Sequence, residues 1–163
     1  MKLKDFIVTE AIVPDLSATE RDQAIRELVS ALARAGAVDE AIIDEVVAAL
    51  IKREQNGSTG FGKGVAVPHV KHSKVRRMVG TVGRSSEGID FAALDHQPVY
   101  SVVLLLSPAP DDEAGKAKAN QQHLQAMNIV FSNLQKDMFR RFLRQSDSRQ
   151  AIIDLLDEAD AGK

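Results

Sequence analysis

The chain has 163 residues, enough for one domain with a hydrophobic core and too few for two ordinary domains. Its 44% hydrophobic and 27% charged residues are typical of a globular protein, and a formal net charge of -2 provides no basic field for binding nucleic acid. The absence of cysteine excludes disulfides, thiolate metal sites and cysteine nucleophiles. Because the N-terminus lacks a signal-peptide pattern and no apolar run approaches ~18 residues, we expect a cytoplasmic protein without membrane insertion.

Two amphipathic helices are predicted near the start of the chain, because apolar residues recur there at helical spacing. In the first helix, Ser17 or Thr19 can cap the start and Gly36 can end it. After a short link, Asp39 can cap a second helix that runs to about Arg53. The two helices are expected to form a hairpin.

Three strands are predicted in the middle of the chain, in VAVPHV, MVGTVGR and PVYSVVLLLSP. The third is a nearly continuous apolar run, which indicates a central strand covered on both faces. The segment GRSSEG is typical of a hairpin turn, with IDF as a short return strand.

Pro68 falls inside the first predicted strand, directly before His69. Proline lacks the amide donor that an interior ladder position requires, so the strand must end, bulge or run along an edge there. We expect this break to turn the His69 side chain out of the sheet.

A third long helix follows a polar link, and two shorter helices complete the chain. The apolar residues that mark the long helix recur at helical spacing, and they are Leu124, Met127, Val130, Phe131 and Leu134. Helices on both sides of a group of strands favour a layered α/β domain. We expect a single domain at residues 1–155 and a short tail at residues 156–163.

The glycine-rich stretch GSTGFGKG falls one residue short of a nucleotide-binding phosphate loop. Such a loop needs Ser or Thr where this chain has Gly64, and it follows a strand and opens a helix, which is the reverse of the order predicted here. The dinucleotide-binding fingerprint also fails, because Val65 stands where its third glycine is required. The glycines instead allow backbone amides to face a phosphate or a partner surface just before His69.

Two of the four histidines are candidates for a functional role. His69 follows the strand break, and a neutral imidazole, with a pKa of about 6.5, is available as a nucleophile near neutral pH. His123 is predicted on the inward side of the third helix, at the border of core and surface. The alternatives are an inert turn residue for His69, a hydrogen-bonded structural role for His123, and a metal site that adds His72 to both. His72 and His96 lie among polar residues and are expected to be solvated.

The stretch REQNGSTGFGKGVAVPH resembles the signature of mannitol- and fructose-type enzyme IIA domains of the bacterial phosphoenolpyruvate-dependent sugar phosphotransferase system. That family includes the nitrogen-regulatory enzyme IIA proteins. Its pattern is Arg-Glu at a helix end, a Ser-Thr-Gly turn, alternating glycines and Pro-His. The matching positions are Arg53, Glu54, Ser58, Thr59, Gly60, Gly62, Gly64, Ala66, Pro68 and His69. The likeness continues to HLQAM and covers most of residues 1–155.

The resemblance implies an α/β fold with a mixed β-sheet flanked by helices, the mannitol-type enzyme IIA sandwich. It also implies that His69 is the phosphorylated residue, that His123 is the supporting second histidine, and that Arg53 pairs with the phosphoryl oxygens. Further candidate ligands of the phosphoryl group are Ser58, Thr59 and Gly64. No cofactor and no metal is implied at the site.

The implied partners are the histidine-containing phosphocarrier protein as phosphoryl donor and an enzyme IIB component as acceptor, docking transiently on an apolar surface around His69. One alternative is a regulatory protein of the same fold, whose His69 phosphorylation state controls a kinase, a transporter or another target. Another is a binding module in which His69 is inert.

Two departures from the family pattern concern charge. Lys63 stands where the family often has Asn or Asp, and Val70, Lys71 and His72 follow the active histidine where small residues are common. The added positive charge favours either an anionic phosphohistidine or a different partner surface, although a solvated face is the commoner meaning of such a run.

Overall fold

The structure, a computed structural model, describes residues 1–162, and these form five α-helices and four β-strands. In chain order the elements are α1 (Arg21–Arg34), α2 (Ile43–Gln55), β1 (Val65–Ala66), β2 (His69–His72), β3 (Val79–Ile89), β4 (Val99–Pro108), α3 (Glu113–Leu134), α4 (Asp137–Gln145) and α5 (Arg149–Asp160). Short 3-10 helices at Leu3–Asp5, Thr9–Ala11 and Glu40–Ile42 complete them. None of the helices in this part of the chain is long and apolar enough to cross a membrane.

β4 lies at the centre of a mixed sheet. β1 and β2 run parallel to it along one edge in a single register, with Val65 beside Ser101 and His69 beside Leu105. β3 runs antiparallel along the other edge. The mixed sheet and the central apolar strand are therefore confirmed. So is the interruption at Pro68, which separates β1 from β2.

Helices cover both faces of this sheet. α1 and α2 pack on the face that carries the alternate residues Ala66, Val102 and Leu104. Helices α3, α4 and α5 pack on the other face, against residues such as Val67 and Leu105. The predicted sandwich is confirmed, because residues of β4 contribute alternately to two separate hydrophobic clusters, one on each face of the sheet.

The helix caps agree with the sequence in part. α1 is capped by the Glu20 side chain, which accepts hydrogen bonds from the amides of Gln23 and Asp22. The expected cap at Ser17 or Thr19 is wrong, because both residues precede the helix and their amides bond to the side chains of Glu27 and Gln23. Gly36 ends the helix as predicted, with φ +76°.

Asp39 caps as expected, although the turn it caps is the 3-10 helix that precedes α2.

The predicted hairpin turn in GRSSEG is wrong. β3 continues through Ile89, which pairs with Val99, and the register shifts between Arg84 and Ile89. The buried Ser85 hydroxyl accepts a hydrogen bond from the Gly88 amide, and Gly88 has φ +93°. Serine and glycine thus form an irregularity within one strand, because the residues that favour turns also favour bulges.

Leu124 does not belong to the buried stripe of α3, since it is 62% exposed. The inward positions include His123, Ala126, Met127 and Val130, which recur at spacings of three and four residues. Leu124 lies one residue, about 100°, away from that stripe.

Residue 156, where the short tail was expected to begin, lies within α5. α5 runs through Asp160, and Leu156 is buried. The Asp160 carboxylate accepts hydrogen bonds from the amides of Leu3 (2.7 Å) and Lys4 (3.1 Å). Residues 156–160 therefore join the C-terminal helix to the N-terminal segment, and the boundary expected at residue 155 falls inside a helix.

Candidate active site

His69 begins β2 directly after the strand break. Its Nδ1 lies 2.7 Å from the carbonyl oxygen of Val67. A carbonyl oxygen only accepts hydrogen bonds, so Nδ1 carries the proton and Nε2 carries the lone pair. The break thus presents a half-buried imidazole whose Nε2 is the free nucleophilic nitrogen.

His123 lies beside this imidazole and belongs to α3. The two rings have centroids 5.7 Å apart. His123 is 8% exposed, and its Nδ1 lies 2.6 Å from the Ser107 hydroxyl. His69 pairs with Leu105, and Ser107 follows two residues later on the same face of β4, so the register explains why the three side chains meet beneath α3.

Burial keeps both imidazoles neutral. For His69, burial lowers the pKa; the Val67 carbonyl opposes this shift, and the charges of Arg53 and Lys71 reinforce it. For His123, burial lowers the pKa to about 4, with the charges of His69 and Lys71 acting in the same direction. Near neutral pH the site therefore offers a neutral His69 imidazole with a lone pair on Nε2 and a neutral His123 imidazole that can donate a hydrogen bond.

Arg53 lies in the last turn of α2, where the helix dipole stabilises a cation. Its Nη1 donates a 2.8 Å hydrogen bond to the carbonyl of Gly57. Its positive charge contributes to lowering the pKa of His69. The guanidinium carries further N–H donors besides this one.

Glu54 is a functional-site residue whose role the sequence did not indicate. It is 3% exposed and accepts hydrogen bonds from the Thr59 amide (2.9 Å) and the Thr59 hydroxyl (2.6 Å). The Thr59 carbonyl accepts in turn from the Val67 amide at 3.2 Å. The end of α2 is therefore tied to the strand break that orients His69.

This arrangement does not favour two of the expected phosphoryl ligands, Thr59 and Gly64. Thr59 uses its hydroxyl on Glu54, so the hydroxyl is not directed at a phosphoryl group. The Gly64 carbonyl bonds to the amides of Tyr100 and Ser101, five residues before His69 along the shared register. At ~3.3 Å per residue this separation is about 16 Å, too far to contact a group on His69.

Ser58 keeps a hydroxyl proton to donate. Its half-buried Oγ accepts a 3.0 Å hydrogen bond from the Gly60 amide, which leaves the hydroxyl free to act as a donor. Of the three predicted ligands in the glycine-rich stretch, Ser58 is the one whose hydrogen bonds are compatible with that role.

The other histidines lie away from the site. His72 is three residues along β2 from His69 and therefore on the opposite face of the sheet, where it approaches Glu45 of α2 at 3.9 Å. It is partly buried, so the expectation of a solvated side chain is wrong for His72, while His96 is exposed as expected. Across residues 1–162, no group of three or more His, Cys, Asp or Glu side chains is placed to hold a metal ion.

Residues 5–159 match the family described as "Phosphoenolpyruvate-dependent sugar phosphotransferase system, EIIA 2". The chain belongs to this family. The resemblance carried by the Arg-Glu to Pro-His stretch is thereby confirmed, and the enzyme IIA fold implies a component of a phosphotransferase relay.

Two relatives illustrate the range of this enzyme IIA family. The chain is 35% identical over 156 residues to a nitrogen regulatory protein of Bradyrhizobium diazoefficiens, covering 96% of this chain and 95% of that protein. It is 30% identical over 160 residues to the fructose-specific EIIABC component of Bacillus subtilis, covering 98% of this chain and 24% of that longer protein.

Solved structures share the enzyme IIA fold. The nitrogen regulatory protein IIA-Ntr of Neisseria meningitidis superposes with a TM-score of 0.77 at 26% identity, covering 93% of this chain and 97% of that one. Enzyme IIA mannitol of Escherichia coli, in complex with phosphorylated enzyme IIB mannitol, superposes with a TM-score of 0.70 at 22% identity, covering 94% and 96%.

Proposed function

We propose that this chain is a phosphohistidine carrier, which accepts a phosphoryl group on Nε2 of His69 and passes it to an enzyme IIB component. The observation that carries the proposal is the bond from His69 Nδ1 to the Val67 carbonyl, because it leaves Nε2 with a free lone pair. The donor is the histidine-containing phosphocarrier protein, and the relay operates in the cytoplasm.

The transfer needs no group beyond the side chains described. The Nε2 lone pair attacks phosphorus while the bond from phosphorus to the donor imidazole breaks, and that electron pair returns to the donor nitrogen. Arg53 neutralises the phosphoryl oxygens, while Ser58 and His123 donate hydrogen bonds to them. His123 stays neutral in this role because burial lowers its pKa to about 4.

Docking of both partners uses the apolar surface beside the site. Leu124 directly follows His123 in α3 and is 62% exposed, so it offers an exposed apolar side chain on the helix that carries His123. The fructose-specific EIIABC relative combines A, B and C components in one protein, and the Escherichia coli structure pairs enzyme IIA with phosphorylated enzyme IIB. Both support an enzyme IIB acceptor.

The test is transfer of labelled phosphate from phosphoenolpyruvate, through the general enzymes of the system, to wild type and to His69→Asn. His96→Asn is the matched control, since it changes an exposed histidine away from the site. We expect an acid-labile, base-stable label that only His69→Asn loses, and NMR of the ring nitrogens should place it on Nε2. A folded wild type that takes no label from several donors would leave the binding module with an inert His69 as the function.

A regulatory role is the second candidate, favoured by the match to a nitrogen regulatory protein over nearly the full length of both chains. In that case phosphorylated and unphosphorylated His69 present different charges to a kinase, a transporter or another target. Label that enters His69 but passes to no purified enzyme IIB component would favour regulation over transport.

A further inference from the structure

A basic groove lies between the glycine-rich loop, β3 and α4, away from His69. The charged side chains that line it are Lys63, Arg84, Asp137, Arg140, Arg141 and Arg144. Five cations and one carboxylate give the groove a formal charge of +4, whereas the chain as a whole carries -2. Arg84 pairs with Ser101 and His69 with Leu105, so the groove begins about 13 Å along β4 from the candidate active site.

Three of the arginines are held in place by uncharged groups. The Arg144 guanidinium carbon lies 3.6 Å from the centroid of the Tyr100 ring. Arg84 donates to the carbonyls of Arg144 (2.6 Å) and Pro14 (3.0 Å). Arg140 donates to the Leu134 carbonyl at 2.6 Å and also pairs with Asp137. These contacts fix the arginine positions in the absence of an anion, which lowers the side-chain entropy that the protein would lose when it binds a ligand.

Lys63, the one lysine among the five cations, lines the same groove from the glycine-rich loop. Lys63 has φ +61°, an uncommon conformation for a residue other than glycine, and its amide donates to the Asp95 carboxylate at 3.3 Å. Lys63 is also the residue that departs from the Asn or Asp common in the family. A strained residue with an unusual charge points to a function for the position.

Most of these charges have no carboxylate partner. Among residues 1–162, Lys63, Arg141 and Arg144 form no salt bridge, whereas Lys74 pairs with Glu45 at 2.7 Å on another face. Arg141 and Arg144 are also neighbours on one side of α4 at a spacing of three residues, where like charges repel. An anion in the groove would relieve this repulsion.

The shape and charge of the groove indicate the class of anion. The groove is an open depression with a volume of about 640 Å³, which leaves room for a small anion. Planar guanidinium groups bind phosphate oxygens in pairs. A charge of +4 matches a diphosphate or triphosphate better than a single phosphate.

We propose that the groove binds a small anion carrying a diphosphate or triphosphate group, either as the free inorganic ion or as part of a nucleotide. This site is separate from the proposed phosphoryl relay, and its occupancy does not require His69.

The experiment is isothermal titration calorimetry of the full chain with pyrophosphate, tripolyphosphate, ATP and orthophosphate at one ionic strength. We expect one-to-one binding that strengthens from orthophosphate to tripolyphosphate. Equal binding of ATP and tripolyphosphate identifies the phosphate groups alone as the ligand, and tighter binding of ATP adds the nucleoside. Saturable binding by none of the probes overturns the proposal and leaves an acidic protein surface as the occupant.

Two double variants test whether the anion binds in this groove. Arg141→Gln with Arg144→Gln should weaken tripolyphosphate binding at least tenfold, and both positions are exposed, so the fold should persist, as circular dichroism will report. Arg76→Gln with Arg77→Gln removes the same charge from a different cavity and should leave affinity within twofold. Equal weakening by the two pairs overturns the proposal, because it means that net charge rather than this groove holds the anion.

Discussion

The buried carboxylate of Glu54 gives the sharpest quantitative prediction. Glu54→Ala removes the acceptor of two hydrogen bonds that Thr59 donates, one from its amide at 2.9 Å and one from its hydroxyl at 2.6 Å. A hydrogen bond to a charged group contributes about 1.5–3 kcal/mol, and buried donors left without a partner carry their own desolvation cost. We therefore expect the free energy of unfolding to fall by at least about 3 kcal/mol.

Urea unfolding followed by circular dichroism measures this change. Glu45→Ala is the matched control, because it makes the same substitution in the same helix at an exposed residue paired with Lys74, where a loss below about 1 kcal/mol is expected. Thr59→Val and the double variant complete a cycle that isolates the side-chain hydrogen bond. If Glu54→Ala costs no more than Glu45→Ala, or if the coupling with Thr59→Val is below about 0.5 kcal/mol, the reasoning is wrong.

Three other predictions test the packing and the histidine pair. Leu134→Ala should lower the free energy of unfolding by about 2–5 kcal/mol, because Leu134 is 1% exposed. Leu124→Ala, at an exposed position of the same helix, should change it by no more than about 0.5 kcal/mol. Similar losses at both positions would contradict the assigned buried face of α3. Gly80→Ala should lower the melting temperature, since the new Cβ would lie 2.8 Å from the Leu104 carbonyl oxygen and such overpacking costs about 1–3 kcal/mol. An unchanged melting temperature would show that β3 can move away at no cost. The pKa of His123 falls from 6.5 to about 4 on folding, so the unfolded chain binds a proton in that window that the folded chain does not. The free energy of unfolding should accordingly rise with pH from about 4 to 6.5, and less steeply in His123→Gln; equal slopes would mean that His123 does not titrate as described.

Features that depend on local chemistry could be predicted from the sequence. The break at Pro68 follows from a missing amide, and the end of α1 at Gly36 follows from its positive φ, so both are confirmed. The apolar run of β4 indicated a strand buried on both faces, and it is the centre of the sheet.

The features that were missed depend on contacts between distant residues. The Ser107 hydroxyl meets His123 only because strand register and helix packing bring them together. The one signal in the sequence was a single polar residue at the end of an apolar run. Glu54 was visible in the motif, but its bonds to Thr59 require the turn to fold back on α2. The turn expected in GRSSEG failed because Ser and Gly also suit an irregular strand.

The acceptor that orients His69 is a main-chain carbonyl. The Pro68 carbonyl takes the ladder bond from the Leu105 amide, and the Val67 carbonyl is left to accept from the imidazole. Every amino acid at position 67 supplies that carbonyl, so side-chain replacement there cannot remove the acceptor as long as the backbone keeps its path. The backbone path therefore determines which nitrogen of His69 carries the proton, and a substitution of Val67 that keeps this path leaves the proton on Nδ1.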